Sequence, residues 1–267
     1  MRAKKRFGQH FLRRRAVLER IARALDPAPG DLVLEIGPGQ GTLTEVLAAS
    51  GARVVAIEKD RDLVPLLRAR LPEVSVIEGD ALDLDWREAA GARPGEPLLV
   101  AGNIPYNLTS PLLDKALEPP RPGRIVFLVQ KEVADRLSAR PGTRAYGALS
   151  VGVQAVARIE KLFTVPAGTF HPPPRVDSTV VRLTPERTTA LRDDEVAGFR
   201  RLVVGLFGFR RKQMLRALRE LTGWNPERAG ERLGNAGILA TVRPETLEPA
   251  AFVELLAEVV DGGWSPR

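Results

Sequence analysis

Asn103, Ile104, Pro105 and Tyr106 follow a strand-length apolar run, Leu98-Leu99-Val100-Ala101-Gly102. A parallel strand buried on both faces reads as such a run, and open α/β sheets bind ligands at the carboxyl ends of their strands. The Asn103 side-chain oxygen and the Ile104 carbonyl are acceptors, presented on a turn that Pro105 stiffens. Tyr106 adds a flat face. Two acceptors and a ring suit a planar group carrying an exocyclic NH2. An Asn-capped strand-to-helix turn is the plainer use of the same residues.

A second constellation lies upstream. Asp31–Ile36 reads as a strand, Gly37, Gly39 and Gly41 as a turn, and about Thr42 to Ala49 as a helix. Glycines between strand and helix let a ligand approach the backbone closely. The dinucleotide fingerprint requires a third glycine three places after the second, and Thr42 stands there instead. Glu35, just before the turn, would also repel a phosphate. The E-x-G-x-G-x-G form suits S-adenosylmethionine, which has no phosphate and carries cationic amino and sulfonium groups. Glu58 ends the next strand, where a carboxylate accepts both ribose hydroxyls. Asp80-Ala81 closes a third strand and places Asp80 to accept from an adenine amino group. Either acid alone also suits a helix N-cap.

Four strand ends carrying glycines, Glu, Asp and Asn make methyl transfer to an amine the expected chemistry. An adenine amine is a poor nucleophile because its lone pair is delocalised into the ring. Acceptors at Asn103 and Ile104 would hold the nitrogen toward tetrahedral geometry, a gain of positioning and electrostatics. No titrating base is required, since the methylated ammonium loses its proton to water. No histidine lies near the motif in sequence.

These residues need a sheet to align them. Strand-like segments at Arg53–Ile57, Val74–Ile77, Leu98–Ala101 and Arg124–Val129 alternate with helical stretches, the rhythm of a doubly wound parallel sheet. A helix over Ala16–Leu25 precedes them. After a helical Lys131–Leu137, two β-like segments, Leu149–Val156 and Val176–Leu183, predict an antiparallel pair at one sheet edge. Thr184–Asp194 is polar and proline-bearing, a boundary. Beyond it the periodicity predicts helices at about Glu195–Leu206, Arg210–Leu221, Pro226–Leu233 and Pro244–Val260.

Composition narrows the partners. The chain has 267 residues, 44% of them hydrophobic, a net charge of +7 and a pI near 10.2. That excess favours a polyanion such as nucleic acid. Cysteine is absent and the histidines are only His10 and His171, which disfavours disulfides, thiolate chemistry and a resident metal. No apolar run approaches ~18 residues, so no membrane span is expected. The basic first fifteen residues lack serine and lead straight into Phe7–Leu12, so they read as part of the mature protein. A cytoplasmic location is expected.

The sequence resembles the ribosomal RNA adenine N6,N6-dimethyltransferases, and within them the small-subunit branch. The marks are R-F-G-Q-H-F-L at Arg6–Leu12, Glu35–Gly41, Asn103–Tyr106, Gln130-Lys131-Glu132-Val133, Ala145-Tyr146-Gly147, F-H-P-P-P-R-V-D-S-T-V-V-R-L at Phe170–Leu183, and Phe209-Arg210-Arg211-Lys212. They span nearly the whole chain. The resemblance implies an α/β fold: a Rossmann-like seven-stranded S-adenosylmethionine-dependent methyltransferase sheet with an antiparallel edge strand. That catalytic domain, with its basic N-terminal arm, would occupy 1–188, and a small all-helical rRNA-binding domain 189–267.

The implied reaction makes two adjacent adenines dimethylated in a hairpin loop near the 3′ end of small-subunit (16S) rRNA, in the course of small-subunit biogenesis. The implied partner is that rRNA or the immature 30S particle. By the resemblance His10, Leu12, Gly37, Glu58, Asp80 and Asn103 line the cofactor site, joined by Glu35, Gly39, Gly41 and Ala81. Tyr106 and Phe170 would clasp a flipped base. Many members carry Asn where this chain has His10; a backbone contact survives that change, a side-chain contact does not follow. Arg6, Arg13 and Arg14 of the arm would meet phosphates, as would Arg210, Arg211, Lys212, Arg216 and Arg219. Lys212, Arg216 and Arg219 fall on one helical face, and Met214, Leu218 and Leu221 on another.

Two rivals remain at this level. Large-subunit (23S) rRNA dimethyltransferases of the macrolide-resistance type share the Asn-Ile-Pro-Tyr loop, but the F-R-R-K and F-G-Q-H-F-L segments favour the small-subunit branch. A non-catalytic RNA-binding assembly factor would not need Glu35, Gly37, Glu58, Asp80 and Asn103 together. No apolar stripe demands a dimer, so a monomer is expected.

Overall fold

The computed structural model describes residues 9–186 and 190–265. The chain forms two compact units, Met1–Ala134 with Arg158–Pro185, and Asp135–Ala157 with Glu186–Arg267. Arg6 lies outside the described residues.

The first unit holds the strands β1 (Phe11–Leu12), β2 (Leu32–Ile36), β3 (Arg53–Glu58), β4 (Ser75–Glu78), β5 (Leu98–Asn103), β6 (Arg124–Gln130), β7 (Ala157–Val165, of which only Ala157 falls to the second unit), β8 (Phe170–His171) and β9 (Ser178–Pro185). Seven of them make one sheet in the order β4-β3-β2-β5-β6-β9-β7. The five from β4 to β6 pair in parallel, and β9 runs antiparallel to β6. The apolar runs that predicted β2, β5 and β6 are buried almost throughout, because helices cover both faces of a parallel sheet. One layer of the core packs Leu18, Ile21 and Leu25 of the helix Arg15–Leu25 against Leu43 and Leu47 of the helix Thr42–Ala48.

The strand order reverses between β2 and β5, which makes their carboxyl ends the crevice of the sheet. Their register sets Glu35 beside Ala101 and Ile36 beside Gly102, so the glycine turn and Asn103 emerge side by side. Gly102 permits this approach: a Cβ there would stand 2.7 Å from the Ile36 carbonyl oxygen. The short antiparallel pair β1–β8, with Phe11 opposite His171 and Leu12 opposite Phe170, draws the N-terminal segment to the same unit.

Three expectations are corrected. Leu149–Val156 is not a strand; Ala148–Gln154 is a helix, and the edge strand is β7. Its Leu and Val spacing imitates alternation, but Ser150 decides the outcome by accepting from the Gly147 N–H at 3.1 Å and donating to the Arg136 carbonyl at 2.6 Å. The helix expected from Arg210 begins only at Met214. Lys212 closes a turn onto the Phe209 carbonyl at 2.7 Å, and Gln213 is extended. The boundary at 188/189 falls close to the chain's return to the second unit at Glu186, but it misses residues 135–157, which pack with the C-terminal helices.

That second unit contains the helices Ala148–Gln154, Val196–Gly208, Met214–Thr222, Pro226–Asn235 and Pro249–Asp261. Its centre is aromatic. Phe207 lies edge-on to Tyr146 at 6.1 Å and stacks on Phe252 at 5.8 Å, and the Tyr146 hydroxyl donates to the Leu247 carbonyl at 2.7 Å. Among the described residues no helix is long and apolar enough to cross a membrane.

Candidate active site

A cavity of about 270 Å³ opens at the carboxyl edge of β2, β3, β4 and β5. His10, Leu12, Glu35, Gly37, Gly39, Glu58, Asp80, Ala81, Asn103, Ile104, Pro105 and Tyr106 all line it. Of the expected catalytic and cofactor residues, Gly41 and Phe170 do not. Gly41 starts the following helix, against Leu67 and Leu71. Phe170 is buried in β8 opposite Leu12 and packs within the core.

The acidic floor is built from successive strand ends. Glu35 is fully buried, and its Oε2 meets no hydrogen-bond partner among the described residues. Burial pushes its carboxyl up to about 8, with Thr44 opposing and the Glu58 carboxylate adding to the shift. Glu58 is held tightly: Oε2 accepts from the Gly39 N–H at 3.0 Å and Oε1 from the Asp60 N–H at 2.7 Å. Burial raises its pKa, and those two N–H groups restrain the rise. Gly39 adopts φ +61°, and a Cβ there would sit 3.0 Å from the Phe11 ring, so the turn closes over β1 only with glycine. The Leu12 carbonyl accepts from the Thr42 hydroxyl at 2.9 Å, a second tie between the N-terminal segment and this turn.

Asp80 accepts from the Leu82 N–H at 3.0 Å and from the Lys59 ammonium. Partial burial opposes its ionisation, but Lys59 and Leu82 outweigh it and hold the carboxyl below its ordinary range. Lys59 lines the cavity and was not singled out by sequence reasoning, although it directly follows Glu58 at a strand end.

At the β5 end, Asn103 Nδ2 donates to the His10 carbonyl at 2.7 Å. A carbonyl can only accept, so this bond fixes which way the amide faces. Oδ1 accepts nothing among the described residues and is the amide's free acceptor. Tyr106 begins a single 3-10 turn, and its hydroxyl shares a 2.8 Å hydrogen bond with the hydroxyl of buried Ser178 on β9. The absence of a nearby histidine holds only in sequence. The His10 ring stacks on Tyr106, with centroids 5.6 Å apart and planes 27° apart, and its Nδ1 donates to the Pro172 carbonyl at 2.8 Å. Both His10 and Ser178 belong to segments that carry the resemblance, but neither was linked to Tyr106 by spacing alone.

The basic residues divide in the same plain way. Arg13 and Arg14 are exposed before the first helix. In the second unit Arg211, Arg216 and Arg219 are exposed, whereas Arg210 donates to the carbonyls of Thr143 and Arg144 at 3.4 and 3.2 Å. Lys212 pairs with Glu220 at 2.9 Å, and Arg216 approaches the same carboxylate at 3.6 Å.

The chain is similar to known proteins over nearly its whole length. The family model for ribosomal RNA adenine dimethylase matches residues 1–256. The ribosomal RNA small subunit methyltransferase A of Pseudomonas aeruginosa is 44% identical over 97% of this chain and 96% of its own length. That of Thermosynechococcus vestitus is 46% identical over 92% of this chain and 93% of its own. Among solved structures, a dimethyladenosine transferase from Plasmodium falciparum superposes with a TM-score of 0.82 at 25% identity, over 95% of this chain and 98% of that one. The 23S rRNA methyltransferase ErmE superposes with a TM-score of 0.69 at 28% identity, over 94% of this chain and 99% of that one. With a seven-stranded methyltransferase sheet, an acidic crevice and the Asn-Ile-Pro-Tyr turn in place, the chain belongs to the ribosomal RNA adenine dimethylase family.

Proposed function

We propose that this methyltransferase uses S-adenosylmethionine to dimethylate two adjacent adenines near the 3′ end of small-subunit rRNA. The observation that carries the reading is the orientation of Asn103. Its Nδ2 is committed to the His10 carbonyl, so Oδ1 is left to accept beside the Ile104 carbonyl and the Tyr106 ring.

The residues of the crevice fit the cofactor. Glu35 is a buried carboxyl with an unpartnered oxygen, suited to a cationic group that would hold it ionised. Each Glu58 oxygen accepts one backbone N–H, which leaves lone pairs for ribose hydroxyls. Asp80 likewise retains acceptor capacity beyond Lys59 and Leu82 for an adenine amino group. When bound, the cofactor supplies an electrophilic methyl group.

The chain's own contribution is to prepare the nucleophile. An adenine N6 lone pair is spread into the ring; accepting its two hydrogens at Asn103 Oδ1 and the Ile104 carbonyl favours the pyramidal nitrogen that can attack. Tyr106 stacks on the base and holds the nitrogen in line, and the extra proton on N6 leaves to water after transfer. These are effects of positioning and preorganised dipoles.

Asn103→Ala tests the reading. The single-turnover methylation rate should fall at least ~100-fold, the scale of losing one preorganised polar group, while rRNA affinity stays near wild type. A near-normal rate would contradict it.

A further inference from the structure

Tyr106 is held from two directions by residues distant in sequence. Its hydroxyl is bonded to Ser178 Oγ at 2.8 Å, and one face of its ring stacks with the His10 imidazole, centroids 5.6 Å apart, which leaves the other face for a base. We infer that His10 and Ser178 form a clamp that positions Tyr106 for the incoming base, an inference that rests on the stacking role proposed above.

The geometry is that of a clamp and not of incidental packing. A tyrosine ring has two rotatable bonds, and a bond at its far end together with a stacked neighbour removes both freedoms. Each jaw is itself anchored. Ser178 is fully buried at the start of β9, in register with Gln130. The His10 ring is bolted by Nδ1 to the Pro172 carbonyl, and the backbone of the same residue holds Asn103. One residue therefore ties together the ring and the amide that the reaction needs. Pro172 immediately follows β8, so the β1–β8 pair is what delivers His10 to this place.

The chain contains two tyrosines, Tyr106 and Tyr146, so ring labelling gives a directly assignable NMR readout. In the full-length protein, His10→Ala and Ser178→Ala should each shift the Tyr106 ring resonances and leave those of Tyr146 in place. Unmoved Tyr106 resonances would overturn the clamp. Because Ser178 is buried and its substitution could disturb β9, Tyr106→Phe removes the same bond from the other side. Tyr106→Phe, Ser178→Ala and the double variant should each lower single-turnover methylation by roughly the same 3- to 10-fold. Losses that multiply in the double variant would show that Ser178 acts elsewhere and overturn the assignment. Tyr106→Ala separates the two readings. Undiminished methylation by that variant, with the resonance shifts intact, would sink base stacking and leave the clamp standing.

Discussion

Glu35 shows how far a single residue can depart from its ordinary chemistry. Its carboxyl has a folded-state pKa near 8 against 4.5 in the unfolded chain. Below about pH 4.5 both states hold the proton. Between 4.5 and about 8 the folded state keeps a proton that the unfolded chain releases, so stability falls as pH rises through that window. Glu35→Gln removes the titration. Thermal melts without ligand should show the variant gaining on wild type from pH 5 to pH 8, by on the order of 2–5 kcal/mol at the upper end. A saturating cationic ligand should shrink the difference and release a proton, read by calorimetry in buffers of different ionisation enthalpy. The position of Glu35 was legible in the sequence because it precedes the glycine turn directly. Its missing partner was not, because Thr44, Glu58 and the covering helix meet only after folding. The same holds for Lys59 on Asp80, and for His10 and Ser178 on Tyr106, where 96 and 72 positions separate partners that touch.

Among the elements, β2 and β5 carry the account, because their contact aligns the glycine turn with Asn103. Gly102→Ala would press a Cβ onto the Ile36 carbonyl 2.7 Å away and part the two strands. The expected cost is about 1–3 kcal/mol, seen as a Tm lower by roughly 3–10 °C, together with weaker cofactor binding. An unchanged Tm would mean that this register does not constrain the crevice. The parallel strands were readable because continuous apolar runs have few other uses. Residues 149–156 were not, because valines spaced by small residues satisfy strand alternation while the bonds of Ser150, which start the helix, involve Gly147 and Arg136. The burial of Phe170 was likewise not legible, because its pairing partner Leu12 lies 158 positions away on β1.

At the scale of the whole molecule, the net charge of +7 and the contacts of the individual arginines divide the basic residues by role. Arg211 and Arg219 are exposed, whereas Arg210 bonds two carbonyls within its own unit. Replacing Arg211 and Arg219 by Gln should weaken rRNA binding and reduce the slope of log affinity against log salt by about 0.7–0.9 per residue, with cofactor affinity unchanged. Arg210→Gln should act chiefly through the melting temperature. The two-unit organisation was legible from the polar stretch after Leu183, but the assignment of 135–157 to the second unit depends on long-range packing that no local composition marks. The most direct test of the whole account is to supply S-adenosylmethionine with labelled methyl groups, offer unmethylated small ribosomal subunits and, in parallel, protein-free large-subunit rRNA, and map the labelled nucleotides. Labelled N6,N6-dimethyladenine is expected at two adjacent positions near the 3′ end of the small-subunit rRNA. Label confined to the large-subunit rRNA, or no label on either with the cofactor bound, would contradict it.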